Sequence, residues 1–175
     1  MISNEIKSLI NKQINDEIWS AYLYLSMSLD SYYKDYSGAG QWFYVQAMQE
    51  IDHARRLQKY LLSQGQHVDL LPIDGVPTQW TSLLTMFEDA MNHEKAITKC
   101  INNIVNQAKE EQDYATLSML MWFVDEQIEE EQTALTMVNK LRAAQGNSCY
   151  MYEIDKSMKT RKYRRVLHNR SEQWL

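Results

Sequence analysis

The sequence predicts an all-α fold, a four-helix bundle with one long crossover connection and a short fifth helix. Three observations predict it. Only five Gly and two Pro interrupt 175 residues, too few for a turn-rich sandwich or barrel. Apolar residues recur at i, i+3, i+4 and i+7 over long stretches, the stripe of an amphipathic helix. Both prolines, Pro72 and Pro77, fall in one connection of about fifteen residues, from about Gln66 to Trp80. At ~3.3 Å per residue that segment spans a helix of ~40 Å, so the helices on either side of it can lie parallel.

The elements follow in order. A first helical run extends from about Asn4 to Tyr36 and ends at Ser37-Gly38-Ala39-Gly40. A second runs from about Gln41 to Ser63 and stops at Gly65. Beyond the crossover a third runs from about Thr81 to Glu110, and Glu111-Gln112-Asp113 separates it from a fourth, about Tyr114 to Gln145. Gly146 reads as the C′ residue closing that helix. Asn147 or Ser148 can cap a fifth, from 148 to about 160. The expected organisation is one domain over 1–160 and a basic tail over 161–175.

Composition narrows the function. The net charge of −5 is split: residues 1–155 hold 11 Lys+Arg against 22 Asp+Glu, whereas residues 156–175 hold 7 against 1. An acidic body argues against nucleic acid as its ligand and suits cations. The longest apolar run, Met119 to Val124, is far short of the ~20 residues a membrane span needs. The N-terminus has no apolar signal core, so a cytoplasmic protein is expected. Cys100 and Cys149 are too few and too far apart for a disulfide framework or a zinc site.

Polar residues on the apolar stripes carry the chemistry. Glu17 lies among Ile10, Ile14, Ala21 and Tyr24, and Glu50 among Phe43, Ala47, Ala54 and Leu57. Glu94 lies among Phe87, Met91, Ile97 and Ile101, and Glu130 among Phe123, Ala134 and Met137. Each long helix therefore turns one glutamate inward. A buried, unpaired carboxylate costs several kcal/mol, and four in one core repel each other unless protons or a cation intervene. His53 follows Glu50 by three, the Glu-x-x-His pattern of carboxylate-bridged metal pairs. Gln127 precedes Glu130 by three. Glu17 to Glu50 and Glu94 to Gln127 are both 33 residues, so the chain reads as two hairpins offset by 77. Oxygen ligands with one imidazole suit iron or manganese better than zinc.

These residues sit in segments that resemble the bacterial non-haem ferritins: Asn-Asp-Glu-Ile-Trp-Ser-Ala-Tyr-Leu-Tyr (15–24), Glu-Ile-Asp-His (50–53), His-Glu (93–94) and Trp-Phe-Val-Asp-Glu-Gln-Ile-Glu-Glu-Glu (122–131). The resemblance covers the chain to about Asp155. It implies a ferritin-like bundle and a ferroxidase that oxidises Fe(II) with O2 or peroxide and stores ferric mineral inside a homo-oligomeric shell of 24 subunits. Glu17, Glu50 and His53 would then hold one iron of a di-iron centre. Glu94 and Glu130, with Glu50 bridging, would hold the second, and Gln127 would sit beside them. Tyr24, seven residues from Glu17, matches the family's tyrosine beside the centre, read either as a participant in electron transfer or as core filler. Glu126 and Glu129 match ligands of a third iron site shared with Glu130, or else belong to a solvated face. Gln49 stands where that third site expects a glutamate, which weakens it. Asp52 and the Gln-x-x-Glu at 127–130 depart from the haem-binding relatives, so no haem is expected. His93 is expected at a surface or interface, and the basic tail in solvent or between subunits. Two competing readings are a DNA-protecting mini-ferritin, in which the tail grips phosphate, and a di-iron oxidoreductase of unknown substrate.

Overall fold

The computed structural model describes residues 2–164 and contains, among them, five helices and no strand. The helices are α1 (Asn4–Tyr33), α2 (Ser37–Ser63), α3 (Leu83–Glu110), α4 (Tyr114–Ala143) and α5 (Ser148–Met158). Two apolar clusters define the direction of each. One cluster gathers Ile6, Ile10 and Ile14 of α1, Leu57 and Leu61 of α2, Ile97 and Ile101 of α3, and Leu120 and Phe123 of α4. The other gathers Tyr24 and Met27 of α1, Phe43 and Ala47 of α2, Phe87 and Ala90 of α3, and Val138 and Leu141 of α4. Since α1 and α4 traverse the two clusters in one sense and α2 and α3 in the other, α1–α2 and α3–α4 are antiparallel hairpins and α2 and α3 run parallel. The crossover makes this possible.

The two hairpin turns are built alike. In the first, Asp35 takes φ 63°, and Tyr36 N donates to Ser31 O at 2.9 Å. In the second, Gln112 takes φ 56°, and Asp113 N donates to Ala108 O at 2.9 Å. Each is the left-handed closure that satisfies a helix's last carbonyls, and both pairs of positions are 77 residues apart. Gly65 closes α2 in the same way, at φ 70° with Gln66 N bonded to Leu61 O at 3.0 Å. Gly146 also has a positive φ, 77°, but lies two residues past the Ala144 cap rather than one.

The crossover is tied along α1. Asp69 N donates to Asn11 Oδ1 at 2.9 Å, Ser26 Oγ to Pro77 O at 2.6 Å, and Trp80 N to Asp30 Oδ2 at 3.1 Å. A reciprocal Ser82–Thr85 capping box then starts α3.

One boundary differs from the sequence expectation. Ser37-Gly38-Ala39-Gly40 is the first turn of α2, not a break before it. These glycines serve close approach. A Cβ on Gly38 would lie 1.6 Å from Asp155 O, and one on Gly40 2.7 Å from the Tyr32 ring. Tyr36 gives α2 no side-chain cap. The buried carboxylate of Asp155, on α5, supplies it instead, accepting from Gly38 N at 3.1 Å and Ala39 N at 2.9 Å. An anion there also complements the positive end of the helix dipole. The fifth helix, capped by Asn147 through Tyr150 N at 3.0 Å, thus pins the helix that carries Glu50 and His53.

Candidate metal centre

Between the two apolar clusters lies a polar belt contributed by all four long helices. Glu17, Glu50, His53, Glu94, Gln127 and Glu130 are each between 1% and 6% exposed. The stripe positions identified in the sequence are therefore interior positions.

One side of the belt converges. Glu17 Oε2 is 3.9 Å and Glu50 Oε2 3.1 Å from His53 Nδ1. A ligand atom of each of the three residues lies within 4.8 Å of the other two. Supporting amides occupy the outer oxygens: Gln13 Nε2 donates to Glu17 Oε1 at 2.9 Å, and Gln46 Nε2 to Glu50 Oε1 at 2.9 Å. Glu17 Oε2 and His53 Nε2 are buried without a hydrogen-bond partner. Leaving such an atom unsatisfied costs roughly 1–3 kcal/mol, and a cation accepting the Glu17 Oε2 lone pair removes that cost there. The donor set, two carboxylates and an imidazole, fits a first-row divalent metal.

The other side is already bonded. Glu94 Oε1 accepts from the Tyr24 hydroxyl, and Glu94 Oε2 from Gln127 Nε2 at 3.2 Å. Glu130 Oε2 accepts from Gln46 Nε2 at 2.8 Å. Gln46 thus bridges Glu50 and Glu130. Tyr24 and Gln127 each donate to one oxygen of Glu94.

The electrostatics agree with a site short of positive charge. Burial, then the charge of Glu50, pushes Glu17 up to about 8, against the pull of His53. Burial, then the charge of Glu130, pushes Glu50 up to about 8. Glu94 is raised well above the usual carboxylate range by burial and by Glu50 and Glu130. Tyr24 is held far above an ordinary phenol by burial and the charge of Glu94.

Of the outer residues, Glu126 joins His53 and Glu130 in a second group whose ligand atoms lie within 4.8 Å of one another. Glu129 is exposed and outside both groups. His93 is the residue expected at a surface or interface. It is half-buried between α1 and α3, with Nε2 2.7 Å from Ser20 Oγ and its ring 5.4 Å from Trp19 and 5.9 Å from Tyr24. Burial lowers it to about 4, so it packs as a neutral ring. Cys100 and Cys149 are free thiols.

Sequence reasoning missed Gln13, Gln46 and Arg161. A signal for the first two existed: each stands four residues before an inward glutamate, and 13 and 46 repeat the spacing of 33. The Arg161 guanidinium sits 4.2 Å over the Trp42 ring and donates from Nη2 to Gln46 Oε1 at 2.8 Å and Gln49 Oε1 at 2.6 Å. No pattern before residue 160 points to it. The expected tail residues beyond 164 lie outside the described part of the chain.

Two antiparallel helix hairpins with inward carboxylates and one histidine define a four-helix-bundle protein with a candidate metal centre. Comparison with known proteins narrows this class. The family model for a ferritin-like domain matches residues 7–144. The bacterial non-heme ferritin of Campylobacter jejuni is 39% identical over 153 residues, 86% of this chain and 92% of its own. That of Bacteroides fragilis is 39% identical over 144 residues, 82% and 91% respectively. Among solved structures, an open-pore ferritin from the hyperthermophilic archaeon Archaeoglobus fulgidus superposes with TM-score 0.92 at 37% identity, covering 93% of this chain and all of its own. The chain belongs to the ferritin family. No helix of the described residues is long and apolar enough to cross a membrane.

Proposed function

We propose that the protein stores iron and is a ferroxidase: it binds two Fe(II) ions per chain in the central belt, passes their electrons to O2 or peroxide, and delivers Fe(III) to a mineral held inside a homo-oligomeric shell of 24 copies. The observation that carries the reading is the convergence of buried Glu17, Glu50 and His53 on one another, with Glu17 Oε2 left without a hydrogen-bond partner, within a chain of the ferritin family.

In this reading Glu17, Glu50 and His53 hold the first Fe(II), and Glu50 bridges to the second, held by Glu94 and Glu130. Fe(II) and the oxidant are the substrates. Each Fe(II) gives one electron, and the carboxylates favour the product because hard oxygen anions bind Fe(III) more strongly than Fe(II). Gln13 and Gln46 orient the carboxylates of the first hairpin, and Tyr24 and Gln127 orient Glu94. Because Glu17 and Glu50 hold protons up to about pH 8, Fe(II) must displace protons to bind. Loading therefore releases acid and weakens as pH falls. Glu126 and Glu129 flank the centre on α4, where they attract cations toward Glu130. Gln127-x-x-Glu130 in place of a second Glu-x-x-His supports storage over oxidation of an organic substrate, and ligands drawn from one bundle oppose the DNA-protecting mini-ferritin. The cytoplasm is the expected compartment.

Glu50→Ala tests the assignment most directly. Oxygen uptake after anaerobic loading should lose its rapid phase, two Fe(II) per chain, while particle size stays that of the wild type. Rapid oxidation at the wild-type rate in that variant would overturn the site.

A further inference from the structure

The chain carries its own cation beside the proposed centre. Arg161, just past α5, folds back onto α2. Its guanidinium covers Trp42, donates from Nη1 to Trp42 O at 3.4 Å, and donates from Nη2 to the side-chain oxygens of Gln46 and Gln49. Gln41 Nε2 holds the Arg161 carbonyl at 3.3 Å. An amide has one accepting and one donating end. With Gln46 Oε1 occupied by Arg161, its NH2 group must face inward, where it reaches Glu50 Oε1 and Glu130 Oε2. A positive charge is thus relayed through one glutamine to two carboxylates on different helices.

Gln49 completes the arrangement. It stands on α2 one residue before Glu50, and its only charged hydrogen-bond donor among the described contacts is Arg161. A metal ion at this corner would have to displace a guanidinium held by three acceptors and an aromatic face, and would gain only a neutral amide.

We infer that Arg161 is a positioning residue that acts as a resident cation: it orients Gln46 toward Glu50 and Glu130 and takes the place of a third metal ion beside Gln49, limiting the centre to two. Burial lowers the guanidinium from its ordinary value while Glu130, Glu50 and Glu94 raise it, so it belongs electrostatically to the belt. The inference rests on the proposed metal centre.

The test is anaerobic Fe(II) calorimetry on the full-length assembled protein, with particle size checked for each variant. Wild type should bind two ions tightly per chain. Gln49→Glu alone should still bind two, because Arg161 pairs with the new carboxylate. Gln49→Glu with Arg161→Ala should bind three, and Gln49→Glu with Arg161→Lys should return to two. Arg161→Ala alone should weaken the second of the two ions about tenfold, as loss of an outer-sphere orienting contact does. Three tight ions in wild type or in Gln49→Glu alone, or two in Gln49→Glu with Arg161→Ala, would overturn the inference. If wild type binds no tight pair, the metal centre itself fails, a result distinct from each of these.

Discussion

The two hairpins present the same frame with opposite internal bonding. In α1–α2 the inward groups are Glu17, Glu50 and His53, and two of their buried ligand atoms are unpartnered. In α3–α4 the inward groups are Glu94, Gln127 and Glu130, with Glu94 bonded at both oxygens and Glu130 at Oε2. The turns match and the 33-residue spacing matches, but Glu50 and His53 of one hairpin are Gln127 and Glu130 in the other. A cation entering beside α1–α2 relieves a desolvation cost, whereas one entering beside α3–α4 must compete with hydrogen bonds already made. The first hairpin should therefore bind first and more tightly. Duplicated geometry with unequal bonding yields an ordered pair.

The largest way to break this asymmetry is His53→Ala. It removes the imidazole from the open side, and the first binding step should weaken by more than the ~100-fold that marks the upper end for outer-sphere changes. Anaerobic titration would then show one weak class of sites instead of an ordered pair, and retention of a tight first step would contradict the comparison. A smaller effect is expected on the pre-bonded side. Gln127→Ala frees Glu94 Oε2 and should weaken only the second step, by ~10–100-fold. Equal loss in both steps would argue that the halves are not distinct.

A third prediction uses pH on the metal-free protein. Glu17 and Glu50 rise from 4.5 to about 8 on folding, so the folded chain holds more protons than the unfolded one in that window. The associated stability is fully present below about pH 4.5 and is lost as pH rises through about 8. Each proton contributes a slope of ~1.4 kcal/mol per pH unit. With two such groups the melting temperature of metal-free protein should fall by ~5–10 degrees per unit between pH 5 and 8. Glu17→Gln should flatten that slope, since a neutral amide has no proton to lose. An unchanged slope would place the proton elsewhere.

Much of this was legible in the sequence because it rests on periodicity. Glu17, Glu50, Glu94 and Glu130 were found as polar interruptions of apolar stripes, and a stripe reports burial whatever packs against it. The start of α2 was not legible: two glycines in four residues signal a break locally, and only the approach of Asp155 and Tyr32 explains a helix there. The contacts of His93 were not legible for a related reason, since its neighbours Trp19 and Ser20 come from another helix. Gln46 could have been found by applying the spacing of 33 to Gln13. Arg161 could not, because its partners lie 112 to 120 residues away with no repeating relation to it.

Asp155 has a consequence in time as well as in space. The amides at the start of α2 wait for a carboxylate encoded 117 residues later, so a growing chain leaves them without it until Asp155 has been made. The helix bearing Glu50 and His53 gains its cap only when α5 emerges and docks. A chain that stops short of Asp155 therefore holds Glu50 and His53 on a helix whose first amides have no carboxylate to cap them.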